Sequence, residues 1–90
     1  MQSIRIERYG GPEVIMHCDV AVPTPKPDEV LVRLAYSGIN FMDVHTHESK
    51  YAGSRTYPVR QPTTLGIEGA GTIVETGNAV EGLQASDRVA

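Results

Sequence analysis

Apolar and polar side chains alternate from the first residues of the chain. Ser3-Ile4-Arg5-Ile6-Glu7-Arg8 repeats with period two, the signature of a strand with one buried face. Tyr9-Gly10-Gly11-Pro12-Glu13 follows as a turn, because glycine reaches unusual backbone angles and proline fixes its own φ. Val14 to Val22 is a second β-favouring run, closed by Pro23-Thr24-Pro25-Lys26-Pro27. Three prolines at alternate positions withdraw three backbone donors and hold the chain extended, which makes a stiff surface connector. The clearest strand is Glu29 to Tyr36, with Val30, Val32 and Leu34 on one face and Arg33 on the other; Gly38 ends it.

The next stretch, "SGINFMDVHTHE" from Ser37 to Glu48, crowds Asp43, His45, His47 and Glu48 together, side chains that a metal site would use. In a strand, Asp43, His45 and His47 would point one way and could share an ion. In a helix, His45 and His47 lie about 200° apart and cannot chelate one ion, and only Asp43 with His47, or Val44 with Glu48, are neighbours. Asn40 followed by Asp43 resembles a helix N-cap with an acidic first turn, which favours a short helix near residues 40–48 carrying two solvated histidines. Tyr51 to Thr64, with Gly53, Ser54, Pro58 and Pro62, reads as a long loop of the kind that is more often functional than accidental. Thr72-Ile73-Val74-Glu75 is a further strand, Gly77-Asn78 a turn, and Asp87 to Ala90 the start of another strand. No internal repeat interrupts this order, and the expected fold is mainly β with one short helix.

Composition narrows the function classes. A hydrophobic fraction of 40% and a charged fraction of 21% are globular values, and ninety residues suffice for one small domain with a limited core. A net charge of −3 gives no electrostatic case for nucleic acid or an anionic membrane. Cys18 stands alone, so neither an internal disulfide nor a cysteine-rich zinc knuckle is available. The charged opening "MQSIRIERYGG" has no apolar signal-peptide core, and no apolar run approaches the ~20 residues needed to cross a bilayer. A soluble, reduced, cytoplasmic chain is expected.

Two further features bear on chemistry. "GIEGAG", Gly66 to Gly71, invites a phosphate-cradle reading, but that fingerprint needs a third glycine and a helix start, and Thr72-Ile73-Val74 is β-branched instead. The glycines are expected to permit close backbone packing at a barrel corner. Glu68, flanked by glycines and apolar residues, is expected to be partly buried and to need a partner, as a structural salt bridge or as a site residue.

"YGGPEV", the proline connector before "DEVLVRLAYSGIN", "NFMD", "GIEGAG" and the closing "DRV", in that order over nearly the whole chain, resemble the N-terminal region of medium-chain dehydrogenase/reductases, and most of all their zinc-independent quinone oxidoreductase branch. The resemblance implies a partial GroES-like β-barrel, the N-terminal part of a substrate domain spanning residues 1–90, in a family whose Rossmann domain binds NADPH across a cleft. Zinc-dependent relatives have a cysteine where this chain has Asn40 and a histidine where it has Ile67, and neither an amide nor an alkyl group replaces those ligands. The resemblance thus implies no zinc. It places Asn40 and Tyr51 in the cleft as catalytic-site residues able to hydrogen-bond a carbonyl or the cofactor amide. Asn40 and Asp43 fall on the cofactor side, with Asp43 orienting the helix or lining the site.

The family usually has glycine where this chain has Ser49 and Ser86, which weakens two local turns, and the loop through Arg55 and Arg60 allows no residue-level transfer. The implied function is the substrate-side segment of an NADPH-dependent quinone or enone oxidoreductase. With no Rossmann domain and an incomplete barrel in these ninety residues, the chain alone is expected to be inactive and to self-associate through unpaired strand edges. The sequence leaves two other functions open: a free-standing GroES-like, co-chaperonin-like interaction module, and a small metal-binding protein using Asp43, His45, His47 and Glu48.

Overall fold

The computed structural model describes all ninety residues, in the order β1 (Gln2–Ile6), a 3-10 turn (Pro12–Val14), β2 (Met16–Asp19), β3 (Val30–Ser37), α1 (Phe41–His47), β4 (Thr63–Thr64), β5 (Gly69–Thr76) and β6 (Arg88–Val89). The strands form two three-stranded antiparallel sheets, ordered β2-β1-β4 and β3-β5-β6. Neither sheet closes on itself. The architecture is therefore mainly β with one short helix, in keeping with a partial GroES-like fold. No helix is long and apolar enough to cross a membrane.

The chain divides into two compact units, one made of Met1–Ala21 with Ile39–Ile67 and the other of Val22–Gly38 with Glu68–Ala90. In the first unit, β1 pairs with β2 from Gln2↔Asp19 to Arg5↔Met16, and with β4 through Arg5↔Thr64 and Ile6↔Thr63. Its apolar centre is small: Ile6 and Val14 are buried, joined by Ser3 and His47. The run expected as one strand from Val14 to Val22 is shorter than that. Pro12 occupies the first turn of a 3-10 helix, a position that suits its locked φ and missing N–H, and the strand starts only at Met16. Just before Pro12, Gly11 N–H donates to the Glu13 carboxylate at 3.0 Å. Backbone amides of Glu13 and Gly11 hold that carboxyl below its ordinary value, and Arg8 and His47 add a weaker pull in the same direction.

In the second unit, β3 and β5 pair from Val30↔Thr76 to Ser37↔Gly69, with register shifts at Leu31/Val32 and Leu34/Tyr36, and β6 adds to β5 through Gly71↔Val89 and Thr72↔Arg88. Ile73 is its one fully buried large side chain. The glycine-rich stretch is a strand, not a helix start, and Gly71 shows why glycine is needed there. A Cβ at that position would collide with the main-chain carbonyl of Arg33 on β3. The alternation along β3 predicts one apolar face, and Val30 and Val32 are half-buried, but Leu34 remains 57% exposed and Tyr36 78% exposed. The proline connector, expected as an extended surface segment, carries no helix or strand and is largely exposed. At its end Lys26 and Glu29 close a turn, where the Lys26 N–H meets the Glu29 carboxylate at 3.0 Å.

Candidate functional site

The helix α1 begins where the Asn40-to-Asp43 spacing places it. Asn40 is the N-cap, in extended backbone at φ −131° and ψ 154°, and Asp43 stands three residues on in a capping-box arrangement. The Asn40 N–H donates to Asp43 Oδ2 at 3.0 Å. The other carboxylate oxygen, Oδ1, accepts the Gly66 N–H at 3.1 Å. Gly66 sits at φ 109°, backbone that a side chain rarely tolerates, and this turns its amide onto Asp43. Both oxygens of Asp43 are thus occupied by main-chain donors. The Asn40 side chain is different: its amide nitrogen Nδ2 is buried and has no hydrogen-bond partner. On either side of it, Ile39 is 94% exposed and Phe41 79% exposed.

The far end of the helix is a complete Schellman closure. Lys50 N–H bonds to the His45 carbonyl at 2.9 Å and Ser49 N–H to the Thr46 carbonyl at 3.3 Å, with Ser49 left-handed at φ 73°. The two histidines do not share the solvated surface expected of them. His47 is 4% exposed, and its Nδ1 lies 2.8 Å from the Gly10 carbonyl. A carbonyl only accepts, so that ring nitrogen carries the proton. Gly10 N–H returns a bond to the His47 carbonyl, also at 2.8 Å. His47 therefore clamps the turn before Pro12 to the helix. His45, half-buried, lies in a row of aromatic rings instead, 6.1 Å from Phe41 and 6.3 Å from Tyr51 by centroid. No three of the His, Cys, Asp and Glu side chains gather in a metal-binding group.

Beyond α1, a cavity of 290 Å³ is lined by Met42, Asp43, Tyr51, Tyr57, Leu65 and Ile67, among others. Of the three residues expected in the site, the structure brings Asp43 and Tyr51 to this cavity, and Asn40 is joined to it only through its bond to Asp43. Tyr57 was not anticipated: it packs on Tyr51 at 5.4 Å, and a lone tyrosine in a loop rich in Gly, Pro and Arg carries no periodic signal. Glu68 also departs from expectation. It is exposed, has no ion-pair partner, and its carboxylate lies against Gly38, so it is neither partly buried nor part of a salt bridge. Its neighbour in the second unit is Ser37, whose hydroxyl donates to the Glu68 main-chain carbonyl at 3.2 Å.

The family described as Alcohol dehydrogenase GroES-like domain matches residues 26–90. A quinone oxidoreductase of Lama guanicoe is 36% identical over 90 residues, which is 99% of this chain and 26% of that protein. Alcohol dehydrogenase 2 of Caenorhabditis elegans is 43% identical over 86 residues, 96% of this chain and 23% of that protein. Among solved structures, Escherichia coli quinone oxidoreductase complexed with NADPH superposes with a TM-score of 0.87 at 31% identity, covering 98% of this chain and 26% of that one. The chain spans about a quarter of the length of the curated relatives it matches.

Proposed function

The chain belongs to the alcohol dehydrogenase GroES-like domain family of the medium-chain dehydrogenase/reductases, and from that premise we propose that its ninety residues form the substrate-side segment of an NADPH-dependent, zinc-independent quinone or enone oxidoreductase. The observation that carries this is Asn40 Nδ2, a buried donor without a partner. Leaving such a group unsatisfied costs about 1–3 kcal/mol, and a turn of the side chain that brings it to a carbonyl or carboxamide oxygen would remove that cost. The nicotinamide amide and a quinone or enone carbonyl are acceptors of this kind.

When bound, NADPH would supply the hydride, and its phosphates would be held by residues other than these ninety. Asn40 is assigned to hold a carbonyl by hydrogen bond, and Tyr51 to offer its phenolic hydroxyl to the substrate oxygen. Asp43 acts on the cofactor side by fixing Asn40, since its own oxygens are taken by Asn40 and Gly66 amides. The fit is to the carbonyl end of the cofactor only, because Gly66 to Gly71 leads into β5 and presents no helix N-terminus to a phosphate.

Alcohol dehydrogenases stand among the similar proteins as well. Quinones or enones are favoured here by donor chemistry, since Asn40 and Ile67 occupy the two positions at which the zinc-dependent pattern has cysteine and histidine. A free-standing co-chaperonin-like module is not favoured, because the loop after α1 carries Pro, Arg and Tyr instead of an apolar docking tripeptide.

The test is a chimera in which these ninety residues replace the matching segment of the Escherichia coli enzyme. Expected are NADPH-dependent reduction of tetramethyl-1,4-benzoquinone, insensitive to EDTA, and a roughly tenfold or greater loss of kcat/KM in Asn40→Ala. Zinc-stimulated alcohol oxidation by the chimera would overturn the proposal.

A further inference from the structure

Tyr57 packs against Tyr51 with ring centroids 5.4 Å apart and ring planes at 55°. Tyr51 is in turn set edge-on to His45, at 84°. Two rings at such an angle cannot sandwich a third. They form a corner, in which a flat ring stacks on one wall and meets the other with its edge, both favoured aromatic geometries. The corner opens on the 290 Å³ cavity, whose remaining walls include Met42, Val59, Leu65 and Ile67. That volume lies at the lower limit of small-molecule sites and suits one ring or two fused rings.

The polar lining selects further. No lysine, arginine or histidine lines the cavity. Asp43, an acceptor only, already takes two main-chain amides, the Thr46 hydroxyl donates to the Met42 carbonyl, the Thr63 hydroxyl to the Thr64 carbonyl, and the Thr64 hydroxyl is paired with Ser3. The groups left to offer a ligand are the hydroxyls of Tyr51, Tyr57 and Thr56. An anionic ligand would find no counter-ion there, and a flat, uncharged molecule with carbonyl oxygens would find donors and ring faces together.

We infer that Tyr57 is a specificity-determining residue which, with Tyr51, selects flat conjugated rings bearing carbonyl oxygens over open-chain enones. The inference rests on the oxidoreductase reading for the identity of the site and narrows its substrate from quinone or enone to ring. Two probes separate the classes: tetramethyl-1,4-benzoquinone, whose methyl groups block addition of the Cys18 thiol, and the open-chain enone mesityl oxide. Binding of each to the ninety-residue chain is followed by NMR of the tyrosine ring resonances.

The quinone is expected to shift the Tyr51 and Tyr57 rings and to bind about tenfold more tightly than mesityl oxide. Tyr57→Ala should weaken quinone binding about three- to tenfold, the worth of one aromatic contact, and leave mesityl oxide unaffected, while Tyr57→Phe keeps most of the preference. Tyr57 is 51% exposed, so its truncation does not open the core, and unchanged resonances outside the loop verify the fold. Equal affinity for the two probes, no shift of the tyrosine rings, or indifference to Tyr57→Ala would overturn the inference. Ring-selective binding without hydride transfer in the chimera would sink the oxidoreductase reading alone. Hydride transfer with no effect of Tyr57→Ala on ring preference would sink this inference alone.

Discussion

Ser49 and Ser86 hold backbone angles that serine tolerates poorly, with φ of 73° and 80°. In the left-handed region a Cβ crowds the following carbonyl, at a cost of about 1–2 kcal/mol. These are the two positions at which the family resemblance leads to an expectation of glycine, so both turns are kept and the strain is borne by the side chain. Ser49 terminates α1, and Ser86 N–H bonds to the Ile73 carbonyl at 2.8 Å beside the buried residue of β5. Glycine relieves the clash but loses more freedom on folding, which returns about 0.5–1 kcal/mol. Ser49→Gly and Ser86→Gly are each expected to stabilise the chain by roughly 0.5–1 kcal/mol, about additively because each acts on its own turn. Urea unfolding of the two variants and the double variant measures this, and destabilisation by either would show that its hydroxyl matters more than its backbone.

Among the elements, α1 depends on a residue whose importance is invisible from its own segment. His47 and Gly10 exchange two hydrogen bonds across a sequence separation of 37. His47→Ala would strip a half-buried carbonyl of its donor and remove a buried ring, and is expected to cost roughly 2–3 kcal/mol. His47→Asn, whose amide can donate from a similar position, should recover part of it, and equal losses in both variants would argue against the hydrogen bond. Period-two alternation made β1 and β3 legible, a β-branched run made β5 legible, and the Asn40–Asp43 spacing made α1 legible, because those signals are local. The burial of His47 was not, since a helical histidine looks the same whether Gly10 or water faces it. β4 escaped too: Thr63 and Thr64 are only two residues, held by Ile6 and Arg5 of β1, and so short a strand has no periodicity to show. In the candidate site, the capping pair was readable, whereas the Tyr57 corner arises from loop geometry that no spacing encodes.

At the scale of the whole molecule, we propose that the open edge of β3 leads two copies of these ninety residues to pair. β3 is a terminal strand of its sheet, eight residues long, and exposes Leu34, Ala35, Tyr36 and Ser37 in succession with Arg33 as its one charge. Exposed apolar edges of this kind pair with other chains. An antiparallel match of two copies centred on Ala35 sets each Leu34 opposite the other copy's Tyr36 and each Arg33 opposite Ser37, which gains aromatic–aliphatic pairs and avoids a like-charge pair. Sedimentation velocity is expected to show mass rising above monomer with concentration, and Leu34→Lys should abolish the rise. A monomer at all concentrations would count against self-pairing.

Asp43 carries one more consequence. Its two oxygens grip the amides of Asn40 and Gly66, the second 23 residues beyond Asp43 itself, so a single carboxylate acts as a yoke between the helix entrance and the rim of the cavity. Any group that pulls on Asn40 pulls through the same peg on Gly66, and neither end can drift unless the other follows. The contribution of a carboxylate so employed is mechanical, keeping two distant stretches of backbone in step.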